Sequence, residues 1–170
     1  MDGPGCVRTE SCPITGRRDL SLLCRINRLM LYSLIMAGGA GTRFWPQSRA
    51  EQPKQLLALN GDRSMIQQTI DRLGDLIEVD RSMVMTSAAL VDAVRNSLPQ
   101  LPAEAVIGEP AKRDTAACIG LAAALLARRD PLAVMVVLPA DHVIGPDQVF
   151  QQAIQHATKL VEQDHQRLVT

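Results

Sequence analysis

The chain has 170 residues, of which 46% are apolar and 21% charged, and eighteen basic side chains balance eighteen acidic ones. This composition is typical of a soluble globular domain with a sizeable core, and it excludes disordered, collagen-like and disulfide-scaffold proteins. A net charge of zero provides no general attraction to nucleic acid or to anionic lipid, so we expect neither as a partner. No apolar run approaches the roughly 18 residues that a membrane span needs.

Cysteine usage indicates a reducing compartment. No two of the four cysteines have the CxxC spacing of a zinc or redox site, so we expect free thiols and a cytoplasmic location. Three of them lie in residues 1–29, a stretch rich in glycine and proline without sustained periodicity. We interpret residues 1–29 as a flexible extension or as the result of a mis-assigned start codon, because regular patterning begins at Met30. Residues 30–170 are then the folded part.

Apolar periodicity predicts four strands that alternate with four helices. The first strand is a short apolar run that ends in two glycines, a pattern typical of a strand buried on both faces. Ser64 and Gln67 form a capping box at the start of the first helix, and Thr115 is expected to cap the third. In chain order the predicted elements are strand 31–37, helix 65–73, strand 82–86, helix 88–98, strand 105–107, helix 115–128, strand 133–138 and helix 147–163.

This alternation predicts an α/β fold in which a mostly parallel sheet carries helices on both faces. Ligands of such sheets bind beyond the carboxyl ends of the strands. We therefore expect the functional residues in three segments that follow strands, 38–46, 108–115 and 139–142. Residues 167–170 have the pattern of a further strand that begins there.

A glycine-rich segment follows the first strand. Its glycines permit close backbone approach, its N–H groups can converge on an anion, and a guanidinium stands beside them. It is neither a Walker A loop nor the dinucleotide fingerprint, because no Gly-Lys-Ser/Thr follows and Phe44 takes the place of the third glycine. The pattern predicts a phosphate-binding loop, with a simple sharp turn as the alternative. The segment consists of Gly38, Gly39, Ala40, Gly41, Thr42 and Arg43.

A lysine follows this loop in the proline-stiffened sequence Pro53-Lys54-Gln55. We predict that Lys54 supplies a point charge for phosphate near the end of the first strand. The alternative is an ordinary solvated surface lysine. The chain has only three lysines, and Lys54 alone follows the glycine loop so closely.

Three segments resemble the sugar nucleotidyltransferases, and among these the mannose-1-phosphate guanylyltransferases. The first runs Leu-Ile-Met-Ala-Gly-Gly-Ala-Gly-Thr-Arg-Phe-Trp-Pro-Gln-Ser from Leu34 and is followed by Pro53-Lys54-Gln55. The second, Gly-Glu-Pro-Ala-Lys-Arg-Asp-Thr-Ala from Gly108, is similar to the family's Glu-Pro-x-Gly-Arg-Asn-Thr-Ala stretch. The third, Leu-Pro-Ala-Asp-His from Leu138, is similar to the acidic motif at a strand end. The similarity extends from about residue 34 to 170 in the family's order and spacing.

The resemblance implies a Rossmann-like three-layer nucleotidyltransferase fold and a reaction of GTP with mannose 1-phosphate that gives GDP-mannose and pyrophosphate. The glycine loop, Gly38 to Thr42, would wrap the nucleotide phosphates, and Arg43 and Lys54 would neutralise their charge. Asp141 would hold Mg²⁺, and with Arg43 and Lys54 it makes up the implied catalytic set. Four further residues would lie near the base and ribose: Glu109, Arg113, Asp114 and Thr115.

Some assignments keep a second interpretation. An aspartate just after a strand, such as Asp141, can simply cap a turn, and His142 is expected to orient that loop rather than to bind a ligand. Lys112 and Asp114 stand where the family has glycine and asparagine. A carboxylate only accepts hydrogen bonds, whereas an amide also donates them, so the preference for guanine is left open.

Length provides a further alternative. Family members continue past the position of Thr170, so the chain is expected to be the N-terminal, nucleotide-binding part of the domain, with a sheet truncated before completion. A cut sheet exposes an unpaired edge and apolar helix faces, which favours self-association. The alternative to the enzyme is therefore an inactive nucleotide-binding fragment or interaction module. A pyrophosphorylase of another nucleotide sugar is a third interpretation.

Overall fold

The computed structural model describes residues 29–39, 53–59, 61–111 and 113–170. In these parts of the chain, four strands form one sheet: β1 is Leu31–Met36, β2 is Ser82–Ser87, β3 is Val106–Glu109 and β4 is Val134–Pro139. Their order in the sheet is β3-β2-β1-β4, and every neighbouring pair is parallel. The predicted parallel sheet is therefore confirmed. The interpretation of residues 1–29 falls almost wholly outside the described residues and stays a prediction.

Helices cover both faces of this sheet. They are α1 at Met65–Asp71, α2 at Val91–Ser97, α3 at Asp114–Arg129 and α4 at Asp147–Gln163. Side chains alternate between the two faces of a strand, so successive residues of β1 contact different helices. Leu34 packs with Ala122 of α3, whereas its neighbour Ile35 packs with helices α1 and α2 on the other face. Leu138 of β4 packs on the second face against α4. The arrangement is the predicted three-layer α/β fold.

The helix boundaries follow from local chemistry. The predicted capping box of α1 is present, because Ser64 Oγ accepts from the Gln67 backbone and Gln67 accepts from the Ser64 N–H. The prediction that Thr115 caps α3 is wrong. That helix begins one residue earlier, at Asp114, and Arg113 occupies the N-cap without a side-chain hydrogen bond to the helix. None of the helices in the described segments is long and apolar enough to cross a membrane.

The predicted strands agree with the structure to within one residue at each end, except at the end of β3 and at residues 167–170. β3 continues through Gly108 and Glu109, because both residues pair with the end of β2. Residues 167–170 do not form the expected strand. A strand needs a neighbouring backbone to satisfy its N–H and C=O groups, and none of the described strands pairs with this segment.

Gly108 allows the start of α2 and the turn before it to approach β3 closely. A Cβ at Gly108 would lie 2.9 Å from Val91 Cγ2 and 3.1 Å from Ala88 Cα, whereas a Cβ at Gly120, inside α3, would meet none of the described residues within 4 Å. We expect Gly108→Ala to lower the free energy of unfolding by about 1–3 kcal/mol through overpacking. Gly120→Ala should instead raise it by about 0.5–1 kcal/mol, because alanine favours a helix interior. Urea unfolding measures both, and equal stability of the two variants would contradict the close contact.

Candidate active site

The chain changes direction across the sheet beside β1. It adds β2 and β3 on one side of this strand and then places β4 on the opposite side. In open parallel sheets, ligands bind beyond the carboxyl ends of the strands at such a switch point. Gly38 and Gly39 follow β1, and Asp141 follows β4, so two of the three segments predicted from the sequence flank this point. The topology thus selects one edge of the sheet as the candidate site.

The carbonyl of Ala37 anchors this edge. It accepts hydrogen bonds from Gln55 Nε2 at 2.7 Å and from Thr86 Oγ1 at 3.1 Å, and both donors are buried. Gln55 therefore ties the turn Lys54–Leu56 to the end of β1. Gln55 belongs to a motif that the sequence singled out, but no role was predicted for it. Its place directly after Lys54 is the sequence feature that could have identified it. A buried amide next to a charged residue fixes the position of that charge.

Lys54 and Asp141 meet at this edge although 87 positions separate them in the sequence. Lys54 Nζ lies 3.4 Å from Asp141 Oδ2, with side-chain exposures of 20% and 46%. His142 Nε2 lies 3.7 Å from the other carboxylate oxygen, and its side chain is exposed. Two residues that the sequence assigns to phosphate and metal binding are thus in contact. Asp141 is half-exposed, whereas the Lys54 side chain is mostly buried, so solvent screens this pair only in part.

The glycines after β1 carry no side chain beside the backbone. Gly39 has a φ of 114°, in the region that favours glycine, and among the described residues no atom lies within 4 Å of the position of its missing Cβ. The corresponding position at Gly38 lies 3.7 Å from Glu109 Oε2, so the carboxylate that ends β3 stands beside the start of the loop. The other predicted loop residues fall outside the described parts of the chain; they are Ala40, Gly41, Thr42 and Arg43.

The first turn of α3 carries the remaining predicted residues. Arg113, Asp114 and Thr115 are all exposed at the N-terminus of the helix, just after the β3 edge. Asp114 has a φ of 61°, in the left-handed region that most side chains avoid but that Asp and Asn tolerate. These residues lie beyond β3, whereas Lys54 and Asp141 lie beside β1 and β4. The structure thus places the predicted residues in two groups along one edge. The β3 group consists of Glu109, Arg113, Asp114 and Thr115, and the other group lies at the ends of β1 and β4.

Cys118 lies next to the β3 group, because its thiol forms a hydrogen bond with Glu109. It is buried in α3 against Leu34 and Met85. Burial, together with a hydrogen bond to Glu109 and the negative charge of that carboxylate, raises the pKa of the thiol to about 12. The thiol is therefore neutral at physiological pH, as befits a core residue rather than a nucleophile.

We expect Cys118 to resist alkylation in the folded chain. Because burial raises the pKa of this thiol to about 12, very little of the reactive thiolate is present at pH 8. Iodoacetamide labelling followed by peptide mass spectrometry measures this residue by itself. The urea-unfolded chain is the control, because its Cys118 should label within minutes. Rapid labelling in the folded chain would contradict the burial of this thiol.

Comparison with known proteins identifies the family. Residues 32–169 match the family described as nucleotidyl transferase. The chain belongs to the nucleotidyl transferase family. It is 43% identical over 138 residues to the mannose-1-phosphate guanylyltransferase of Escherichia coli, and 37% identical over 130 residues to the alginate biosynthesis protein AlgA of Pseudomonas aeruginosa. These alignments cover 80% and 76% of the chain, but only 29% and 27% of those proteins.

Solved structures agree with this assignment of a nucleotidyl transferase. A crystal structure of a Thermus thermophilus protein, described as a mannose-1-phosphate geranyltransferase, superposes with a TM-score of 0.71 at 32% identity. The superposition covers 79% of this chain and 39% of that one. A protein described as a putative glucose-1-phosphate thymidylyltransferase, from Bacillus anthracis, superposes with a TM-score of 0.61 at 20% identity, which shows the shared fold alone.

Proposed function

We propose that the chain forms the nucleotide-binding part of a mannose-1-phosphate guanylyltransferase, which converts GTP and mannose 1-phosphate into GDP-mannose and pyrophosphate. The observation that carries the proposal is the contact of Lys54 with Asp141 beside the glycines that follow β1, at the switch point of a nucleotidyl transferase sheet. The names of the relatives support the choice of GTP and of the mannose phosphate.

In the proposed reaction, an ionised phosphate oxygen of mannose 1-phosphate attacks the α-phosphorus of GTP in line. A new P–O bond joins the two, the bond between the α-phosphorus and the oxygen bridging to the β-phosphate breaks, and pyrophosphate leaves. The attacking oxygen already carries a negative charge, so the protein need not remove a proton. Its task is to position the substrates and to stabilise charge.

Each group at the edge fits a part of that task. The backbone N–H groups of the glycine segment would contact the triphosphate, which approaches closely only where side chains are missing. Lys54 is held at this edge through Gln55 and would neutralise phosphate charge. Arg43 would add a second positive charge from the glycine loop.

Asp141 fits a role in magnesium binding. The described residues contain no group of three or more His, Cys, Asp or Glu side chains that could hold a metal by themselves. Magnesium requires no such group, because it commonly binds through one or two carboxylates, several waters and the substrate phosphates. Asp141 is half-exposed, so its carboxylate is accessible to a metal–phosphate complex, and the cation beside it is Lys54. When bound, the metal would offset the negative charge of the phosphates and of pyrophosphate.

The β3 group fits the nucleoside end. Glu109 and Asp114 offer only acceptors, and guanine presents an N1–H and an amino group as donors. Arg113 and Thr115 lie beside them on the exposed first turn of α3 and would contact the ribose or a phosphate. A carboxylate at position 114 is thus compatible with guanine.

The test is a direct assay. The protein, expressed with any sequence that its gene encodes after Thr170, is incubated with Mg²⁺, mannose 1-phosphate and each of GTP, ATP, UTP and dTTP, and the nucleotide sugars are separated by chromatography. GDP-mannose as the main product supports the proposal. A different nucleotide sugar would assign another substrate. GTP binding without any product would support the alternative, a nucleotide-binding module.

A further inference from the structure

Arg72, the C-cap residue directly after α1, carries no role predicted from the sequence. We propose that Arg72 is a positioning residue, which fixes the loop between β4 and α4 that presents Asp141. The consequence for catalysis rests on the proposed function. The consequence for the loop itself does not, because it follows from contacts within the fold.

Arg72 bridges three parts of the molecule. Its Nη2 donates a hydrogen bond of 3.3 Å to the carbonyl of His142, the residue directly after Asp141. Its Nε lies 3.7 Å from Asp147 Oδ1 at the start of α4. Its guanidinium carbon lies 5.5 Å from the centre of the Phe150 ring. The side chain thus joins the end of α1 to both ends of the loop 140–146.

The backbone of Arg72 is fixed as well. Gln151 Nε2 donates a hydrogen bond of 2.8 Å to the Arg72 carbonyl. The same amide lies 2.9 Å from the position that a Cβ of Gly74 would take, so the turn after α1 lies directly against α4. These contacts fix the main chain from which the Arg72 side chain extends to the loop.

Burial of the Arg72 side chain costs free energy of folding. The Arg72 side chain is only 4% exposed, and its Nε is buried without a hydrogen-bond partner among the described residues. A buried cation costs free energy, which its contacts with Asp147 and Phe150 offset only in part. An apolar residue of similar volume would fill the space at lower cost but could not donate to the His142 carbonyl. Removal of groups that hold a metal ligand in place typically lowers metal affinity or activity about 10- to 100-fold.

The experiment compares Arg72→Met, Arg72→Lys and Arg63→Met. Methionine keeps the volume but loses the charge and the donors, whereas lysine keeps the charge and one donor group. Arg63 is the matched control, because it forms an exposed ion pair of 2.7 Å with Asp71, the neighbour of Arg72 in α1. Two quantities are measured: the hydrogen–deuterium exchange of peptides that cover 140–146, and the magnesium concentration that gives half-maximal GDP-mannose formation.

We expect Arg72→Met to accelerate exchange in 140–146 about tenfold, while peptides of β2 are unchanged. Half-saturation should require about 10- to 100-fold more magnesium, and Arg72→Lys should restore part of both losses. Arg63→Met should match the parent. If Arg72→Met fails to fold, Arg72→Lys carries both readouts as the milder variant. Exchange in both Arg72 variants equal to that of Arg63→Met overturns the proposal.

A second comparison separates this proposal from the proposed function. If Asp141→Asn is inactive and the Arg72 variants keep the parent's magnesium dependence, the positioning role is wrong and the proposed function stands. If Asp141→Asn retains full activity, the assignment of Asp141 has failed. The role of Arg72 in the loop is then decided by hydrogen exchange alone.

Discussion

Replacement of Asp141 by asparagine is expected to lower the rate of GDP-mannose formation about 10²–10³-fold at saturating substrates. The change keeps the shape of the side chain but removes the negative charge that lies 3.4 Å from Lys54 at the end of β4. An amide is a poor ligand for magnesium in a site that otherwise consists of phosphates and water. The rate should also lose its dependence on magnesium concentration, which steady-state kinetics at several metal concentrations would show.

Asp164→Asn is the control for this variant. Asp164 is an exposed aspartate just after α4, and it pairs with Arg167 at 3.9 Å, so its replacement makes the same change of charge outside the site. Its kinetics should match those of the parent. Normal turnover by Asp141→Asn would remove this residue from the site and would require another metal ligand.

Replacement of Lys54 by methionine is the second large effect that we expect. The variant keeps the aliphatic stem, which lies next to the buried Gln55, and removes the charge assigned to the phosphates. Loss of one preorganised charge contact at a reacting phosphate costs about 10²–10³ in turnover. The Michaelis constant for the nucleotide should also rise, because the same contact contributes to binding in the ground state.

Lys159→Met provides the comparison for Lys54. Lys159 is exposed on α4 and is assigned no part in the site, so the variant makes an identical change elsewhere. Lys54→Met should unfold at a slightly lower urea concentration than Lys159→Met, because it removes a part-buried ion pair. Equal kinetics of the two variants would show that Lys54 is an ordinary surface lysine, the alternative that the sequence left open.

Much of the fold could be predicted because the strands have simple patterns. The apolar run that becomes β1 is buried on both faces, as central parallel strands are, and the glycines after it mark its carboxyl end. The rule for ligand sites in parallel sheets then predicted that residues after β1, β3 and β4 would gather at one edge. The contact between Lys54 and Asp141 is the clearest result of that rule.

The errors lie where local pattern conflicts with pairing or with backbone geometry. β3 extends through Gly108 and Glu109 because β2 provides partners there. The sequence pattern of a four-residue strand is too short to indicate such pairing. Residues 167–170 have a strand-like composition, but none of the described strands pairs with them. Thr115 has a side chain suited to capping, yet α3 begins at Asp114, whose backbone is left-handed.

Asp114 also gives the departure from the family motif a physical meaning. Asparagine and aspartate are among the side chains that best tolerate a positive φ, so the exchange keeps the backbone conformation while it changes the hydrogen-bonding character. Arg72 could not be predicted in this way. Its role depends on a hydrogen bond to a carbonyl 70 positions later, and one arginine at the end of a helix carries no signal of that contact.

In the proposed function the edge beside β1 and β4 binds GTP, and calorimetric titration of the purified chain with GTP and ATP tests this binding most directly. The titrations are run with and without magnesium, after circular dichroism has shown that the chain is folded. We predict that GTP binds more tightly than ATP and that magnesium strengthens binding of GTP to the parent but not to Asp141→Asn. A folded chain that binds neither nucleotide, or that binds GTP equally well with and without Asp141, would contradict the account.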